Sequence, residues 1–319
     1  MVLSSIKGLP IECIRTFNSH QGPVHIARYN TGGEYILSGG QDRTIRLWNP
    51  DSGLNIKTYT GHGKEVLDLS VTQDNSRFAS CGGDRQIYYW DVSTGTTVRR
   101  FEGHNQRVNA VSFNWEGTVL ASDYGIAGKI HHLSFFKILS THPILAIDRS
   151  HARTPIQILE EPKDSITSLH VIQYEIVSGS ADGCIRTHDI RKGALITDLI
   201  SHPVTSVRVS GDNNCILASS LDNSIRLMDR ANGGLLNEFK GHKNASYKIH
   251  SCLSNNDAHV ISGSEDGKIY IWDLLEGNLL TSFKAHSNVV TCVTFHPRYD
   301  YMISTSVDGT AKYWKPQTT

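Results

Sequence analysis

The sequence has no excess of either charge: 31 Lys and Arg offset 31 Asp and Glu. A chain balanced in this way generates no strong overall field to draw it to nucleic acid or an anionic membrane. Cysteine is sparse too, six in 319 residues, far apart and never as C-x-x-C. Most lie in strand-like runs, which predicts free, buried thiols in a reducing compartment and not a disulfide framework. Long apolar runs are missing as well. The most apolar stretch, residues 133–147, is interrupted by Lys137, His142 and Pro143, and it falls short of the roughly 20 apolar residues that span a bilayer. Residues 1–10 carry neither a basic lead nor an apolar core, so no secretory or transit leader is expected. Together these absences predict a cytoplasmic and nuclear protein without a membrane span.

Chemistry-bearing motifs are equally scarce. There is no P-loop, no G-x-G-x-x-G after a strand and no zinc-ligand spacing, so neither a cofactor nor a metal is expected. His131 and His132 are adjacent, and adjacent side chains of a strand point to opposite faces, which prevents them from chelating one ion. His142 and His151 add two more imidazoles without ligand spacing. The sequence reads as a non-enzyme.

What is present is a ruler. An Asp is followed six residues later by a large side chain at Asp42/Trp48, Asp84/Trp90, Asp182/His188, Asp222/Met228, Asp266/Trp272 and Asp308/Trp314. The Asp residues recur at steps of 40 to 44, with one of 98, which is two periods of 42 plus 14 residues. One degenerate repeat therefore fits in the gap, giving seven. A period near 40 built from short apolar strands is the mark of a WD-repeat β-propeller, one four-stranded sheet per repeat. The expectation is an all-β, seven-bladed ring filling residues 11–315, with short tails at 1–10 and 316–319. Inner strands read as Val66-Leu69-Val71 or Val204-Val207-Val209, followed by Gly, Asp or Asn turns.

The last repeat ends its third strand at Trp314, without room for a fourth, yet residues 12–17 read like the fourth strands of other repeats. The N-terminal strand is expected to complete the last blade, so that deleting residues 1–18 lowers the thermal midpoint by many degrees. Such closure removes exposed sheet edges.

Four repeats carry a His, Ser, Asp and Trp that read as matched in spacing, with Ser four residues before Asp: His20/Ser38/Asp42/Trp48, His62/Ser80/Asp84/Trp90, His242/Ser262/Asp266/Trp272 and His286/Ser304/Asp308/Trp314. Ser, His and Asp together suggest acyl transfer. Repetition argues otherwise, because a nucleophile needs one activated copy in a cleft, whereas four copies at blade spacing fit a buried relay from the Asp turn to the indole N–H.

The third repeat breaks the ruler. After its second strand the chain enters an insertion at about 123–152, which contains a candidate third strand, Lys129 to Leu133. Two readings stand: a genuine loop that binds a partner, or a mistranslated or wrongly spliced segment.

Several runs give the chain a more specific likeness. Ile45-Arg46-Leu47-Trp48-Asn49-Pro50, Thr58-Tyr59-Thr60-Gly61-His62-Gly63, the stretch from Phe239 to Asn244 with Tyr247-Lys248, and Met228 in a Trp slot resemble the mitogen-activated protein kinase organizer 1 group of WD-repeat proteins. The resemblance covers nearly the whole chain and lapses across 123–152. It implies a scaffold that gathers extracellular-signal-regulated kinase cascade components, and an association with the spliceosome and pre-mRNA processing.

On the face formed by the His-slot and Asp-turn loops, Lys64, Arg85, Arg107, Lys243 and Tyr247 are candidate partner contacts, Arg and Tyr being frequent hot-spot types. The plainer reading of each is an ordinary solvated loop residue. His188-Asp189-Ile190-Arg191 resembles, with His for Trp, the Trp-Asp-x-Arg box of cullin-ligase substrate receptors, which makes Arg191 a candidate for an adaptor role. Direct RNA binding is not expected: four of the five Trp belong to the relays, leaving few aromatics for base stacking. The expected form is a monomeric propeller within larger protein complexes.

Overall fold

Short apolar runs joined by tight turns fold into small antiparallel meanders, and here every sheet has four strands. A computed structural model of the chain describes residues 8–123, 130–135, 157–159 and 162–317. We number the seven four-stranded sheets by their inner strands: Val24–Tyr29, Val66–Val71, Val111–Phe113, Ile166–Ile172, Val204–Val209, Ser251–Leu253 and Val290–Phe295. Each inner strand packs against that of the next sheet, and sheet 7 returns to sheet 1. The sheets thus form a closed ring around a central channel.

Burial falls from the channel outwards. Second strands such as Ile36–Gly40 and Met302–Ser306 are buried along their whole length, as expected where neighbouring sheets cover both faces. Their small residues have a steric cause. A Cβ on Gly39 would lie 2.7 Å from Val66 Cγ1, and one on Gly179 would lie 2.6 Å from Val204 Cγ1. At these points the next inner strand comes too close for any side chain. Outer strands such as Ala194–Leu199 are exposed at almost every position. Phe78 and Trp90 are fully buried between sheets 1 and 2, and each such side chain contributes roughly 1.5–3 kcal/mol over its exposed state.

The ring is latched by its own beginning. Glu12–Phe17 pairs antiparallel with Ala311–Lys315, Glu12 opposite Lys315 and Phe17 opposite Ala311, and so becomes the fourth strand of sheet 7. Phe17 is buried, its ring 4.9 Å from that of Trp48 in sheet 1. Arg15 Nε donates to the Asp51 carbonyl at 2.8 Å, and Lys315 Nζ lies 3.0 Å from the Asp51 carboxylate. The latch therefore ties sheet 7 to sheet 1 as well as completing it.

In sheet 3 the third strand is Ile130–Phe135, displaced from the expected 129–133, with Ser122 opposite His131 and Ala121 opposite His132. Its fourth strand is Gln157–Leu159. The rest of the expected insertion, with His142 and His151, lies outside the described residues. Among the described residues no helix is long and apolar enough to cross a membrane, and no cluster of three or more His, Cys, Asp or Glu could hold a metal ion. All six thiols are free; Cys81, Cys252 and Cys292 are buried. Cys13 is exposed, against the expectation of burial, because it sits on the outermost strand.

Candidate functional site

In three of the four expected relays the side chains are joined end to end. Trp48 Nε1 donates to Ser38 Oγ at 2.8 Å, Ser38 Oγ lies 2.7 Å from His20 Nε2, and His20 Nδ1 lies 3.0 Å from Asp42. The same distances are 2.8, 2.7 and 2.9 Å in the Trp90/Ser80/His62/Asp84 set. They are 2.9, 2.7 and 3.1 Å in the Trp314/Ser304/His286/Asp308 set. An indole can only donate, so each Ser oxygen accepts from Trp and its hydroxyl donates a hydrogen bond to Nε2, which leaves Nδ1–H for the carboxylate.

The electrostatics agree with that polarity. Burial lowers the His286 pKa to about 4 despite the opposing pull of Asp308, so the ring is neutral at physiological pH. Burial works against ionisation of Asp42, but hydrogen bonds from His20 and Thr44 outweigh it and hold the carboxyl below its usual range. Asp84 behaves likewise, through His62, Gly63 and Gln86. Ser38, Ser80 and Ser304 are fully buried. Each already receives the indole and is buried, an arrangement that organises the turns.

The fourth expected relay, in sheet 6, is not formed. Ser262 Oγ donates to the Gly263 carbonyl at 2.9 Å, Trp272 Nε1 to the Lys240 carbonyl at 3.0 Å, and Asp266 accepts the Tyr270 phenol at 2.9 Å. Neither ring nitrogen of His242 has a hydrogen-bond partner among the described residues. The ring packs instead edge-on against Trp272, 5.5 Å between centroids. The cause is in the spacing: His precedes Ser by 18 residues in the formed relays but His242 precedes Ser262 by 20. The extra length displaces the imidazole, and Tyr270 takes the carboxylate. Burial lowers the His242 pKa to about 4, against Asp222 and Asp266, and the ring stays neutral.

Sheets 4 and 5 satisfy the turn Asp with arginine. Arg186 grips Asp182 through both guanidinium nitrogens at 3.1 and 2.8 Å. Arg226 donates to Asp222 at 2.6 Å and to Ser220 at 2.8 Å. The sequence carries this signal as Asp-x-x-x-Arg, which the search for His and Trp passed over.

Above the relays lies the face formed by the connections between sheets and those between second and third strands. Lys64, Arg85, Arg107, Lys243 and Tyr247 emerge there, all exposed. Arg191 does not join them. It follows the third strand of sheet 4, Cys184–Asp189, at the opposite end of the ring, where its guanidinium lies 4.2 Å from the Tyr174 ring centroid. The Tyr247 loop is preorganised: Glu265 Oε1 accepts the backbone N–H groups of Ala245, Ser246 and Tyr247 at 2.8, 2.6 and 3.1 Å. Burial pushes the Glu265 pKa up, but these bonds prevail and lower it.

Three non-glycine residues of this face share a left-handed conformation. Directly after the turn Asp, Arg43, Arg85 and Asn223 adopt φ of 64°, 65° and 63°, a geometry that Asn tolerates but that penalises a longer side chain by roughly 1–2 kcal/mol. Gly183, Gly267 and Gly309 fill the same position in other sheets. Sequence reading found Arg85 but missed Arg43. It also missed Asp123, fully buried at the end of Val119–Asp123. Burial raises the Asp123 pKa to about 7, opposed by Lys248 and by hydrogen bonds from Ala110 and Asn109. Lys248 Nζ in turn donates to the Asn109 carbonyl at 2.7 Å.

Comparison with known proteins agrees with this geometry. The family model "WD domain, G-beta repeat" matches residues 11–49, 53–91, 95–125, 193–229, 233–273 and 277–315. That corrects the expected count of seven WD-repeat blades: the WD repeats number six. The first three strands of sheet 4 fall in the unmatched residues 126–192, where Arg186 replaces the relay His and His188 stands in the Trp slot. The ruler counted an Asp spacing there, but spacing alone does not make a WD repeat.

The chain is 42% identical to WD repeat domain-containing protein 83 of Rattus norvegicus, over 97% of this chain and 94% of the relative. It is 41% identical to that of Homo sapiens, over 97% and 93%. To the homolog in Dictyostelium discoideum it is 35% identical, over 95% and 98%. The family named from the sequence is therefore corrected: these relatives carry the name WD repeat domain-containing protein 83, not mitogen-activated protein kinase organizer 1.

Proposed function

Because the chain belongs to the WD-repeat family, among the proteins named WD repeat domain-containing protein 83, we propose that it is a non-enzymatic scaffold whose His-slot and Asp-turn face docks acidic segments of partner proteins. A WD-repeat propeller is a protein-interaction fold. The observation that favours this face is the pair Arg43 and Arg85, exposed and strained where glycine would be relaxed. Strain of this kind persists where surrounding structure imposes it and function uses it. Lys64, Arg107 and Lys243 add cationic charge to the same face, and Tyr247 adds a held aromatic. A rigid ring loses little entropy on binding, so a few preorganised side chains suffice for affinity.

The finer assignment is that the docked proteins are components of the extracellular-signal-regulated kinase cascade or of the spliceosome, met in cytoplasm and nucleus. Its support is the sequence likeness alone. The cullin-adaptor reading has less support, since His188 is buried and Arg191 packs on Tyr174. Quantitative copurification from cells separates these readings. The proposal expects Arg85→Glu/Arg107→Glu to lose most partners at unchanged fold and Arg191→Glu to keep them. An unchanged set in the double variant would refute the choice of face.

A further inference from the structure

The opposite end of the central channel holds a cavity of about 740 Å³, within the usual size of a small-molecule site. Its floor is built from one register. Arg28, Ser70, Ser112, His170, Arg208 and Thr294 occupy the same position on six of the seven inner strands, and all six line the cavity.

Most of these side chains are engaged in joining sheets. Ser70 accepts the Phe113 N–H at 3.0 Å, Ser112 that of Val171 at 3.2 Å, and His170 Nδ1 that of Val209 at 3.0 Å. Thr294 donates to the Ala27 carbonyl at 2.8 Å. Arg28 reaches Asp68 and Thr294, each at 3.3 Å. Arg208 is different: its guanidinium has no hydrogen-bond or ion-pair partner among the described residues.

The charges lining the cavity are Arg28, Arg208 and Asp68, with His170 and Tyr29 as the other titratable groups. Burial holds His170 neutral, its pKa lowered to about 3, and Arg208 and Arg28 add to that effect. Because Nδ1 accepts from Val209, the ring proton sits on Nε2. Burial and Arg28 lower the Arg208 pKa to about 10, with Asp68 opposing, so Arg208 remains protonated at neutral pH. Asp68 is paired with Arg28, which leaves one positive charge uncompensated in a partly enclosed space with five unspent donors on a guanidinium.

We propose that this end of the channel binds a small phosphate-bearing molecule, with Arg208 as its principal ligand and Arg28 as a second cation. Guanidinium geometry suits phosphate oxygens, which it can grip through two parallel bonds. The site is independent of the docking face, being at the other end of the ring. Trp115, exposed at the cavity rim, supplies a reporter.

The test is a titration of inorganic pyrophosphate into the full chain at constant ionic strength, followed by calorimetry and by Trp fluorescence. The wild type is expected to give saturable one-site binding with a fluorescence change that Trp115→Phe removes. Arg208→Gln should weaken binding at least tenfold, Arg208→Lys less, and Arg100→Gln, exposed on the outer strand Thr97–Phe101, not at all. Absence of saturable binding to the wild type overturns the proposal whatever the variants do. Equal affinity in folded Arg208→Gln, or a loss in Arg100→Gln as large as that in Arg208→Gln, overturns it too.

Discussion

Tyr270 donates its phenol to Asp266 at 2.9 Å, and that bond occupies the carboxylate that His242 was placed to receive. In sheet 2 the corresponding phenol, Tyr88, bonds the Gly61 carbonyl and Gln86 instead, and the His62 relay is intact. The two sheets show one turn carboxylate satisfied by two routes. Tyr270→Phe is therefore expected to cost roughly 1.5–3 kcal/mol, the range for a hydrogen bond to a charged group. Urea denaturation reads it directly; a loss below about 0.5 kcal/mol would mean that water replaces the phenol without penalty.

The two serines test the same distinction. Ser304 joins His286 to Trp314, so Ser304→Ala strands two buried groups and should cost on the order of 2–4 kcal/mol. Ser262→Ala loses one bond to its neighbour's carbonyl and should cost about 1 kcal/mol or less. Equal losses would contradict the assignment of one formed and one unformed relay.

Trp90 is buried between Tyr59, Phe78 and Tyr88, its ring stacked at 5.9 Å from Phe78 and 5.4 Å from Tyr88. Trp90→Ala should destabilise by about 3–5 kcal/mol. A smaller loss, with the fold retained, would show that the sheet interface collapses around the cavity.

Acid acts on the fold through its buried imidazoles, opposed by the raised Asp123 carboxyl. In the unfolded chain an imidazole takes up its proton near pH 6.5, but in the fold His242 and His286 do so only near 4. Between those values the unfolded imidazoles bind more protons, so these two rings lower stability as pH drops from 6.5 to 4, while Asp123, raised to about 7, binds its proton more readily in the fold and acts in the opposite sense. Each ring contributes at most on the order of 3 kcal/mol. Denaturation midpoints at pH 7.5, 6 and 5 check it, and His286→Gln should reduce the slope. An unchanged slope in His286→Gln would show that this ring titrates normally.

Arg85 tests the proposed docking role against a structural one. Arg85→Gly relieves the left-handed strain and should raise stability by about 1 kcal/mol while weakening partner capture. If stability and capture fall together, the arginine is structural.

The sequence exposed the regular parts of this molecule because they repeat. The Asp ruler located the turns, and residues 12–17 matched the outer strands closely enough to place the latch. Where one residue type replaces another, the pattern concealed the outcome: Arg186 and Arg226 do the work of the relay His, and sheet 4 forms without a WD repeat. Two extra residues after His242 were visible in the spacing but not weighed. Asp123 was beyond reach, because it is held by Asn109 of its own sheet and faces Lys248, which only the closed ring brings near it. The strain at Arg43 and Arg85 is a backbone property that composition does not carry, although the Gly residues at the same position elsewhere hint at it.

Ring closure underlies both the proposed docking face and the channel, and native-state hydrogen exchange measures it most directly. The amides of Glu12–Phe17 that bond to Ala311–Lys315 should be protected to within about tenfold of the amides in Met302–Ser306. Exchange at the rate of an exposed loop, with the rest of sheet 7 still protected, would show that the first strand does not close the ring.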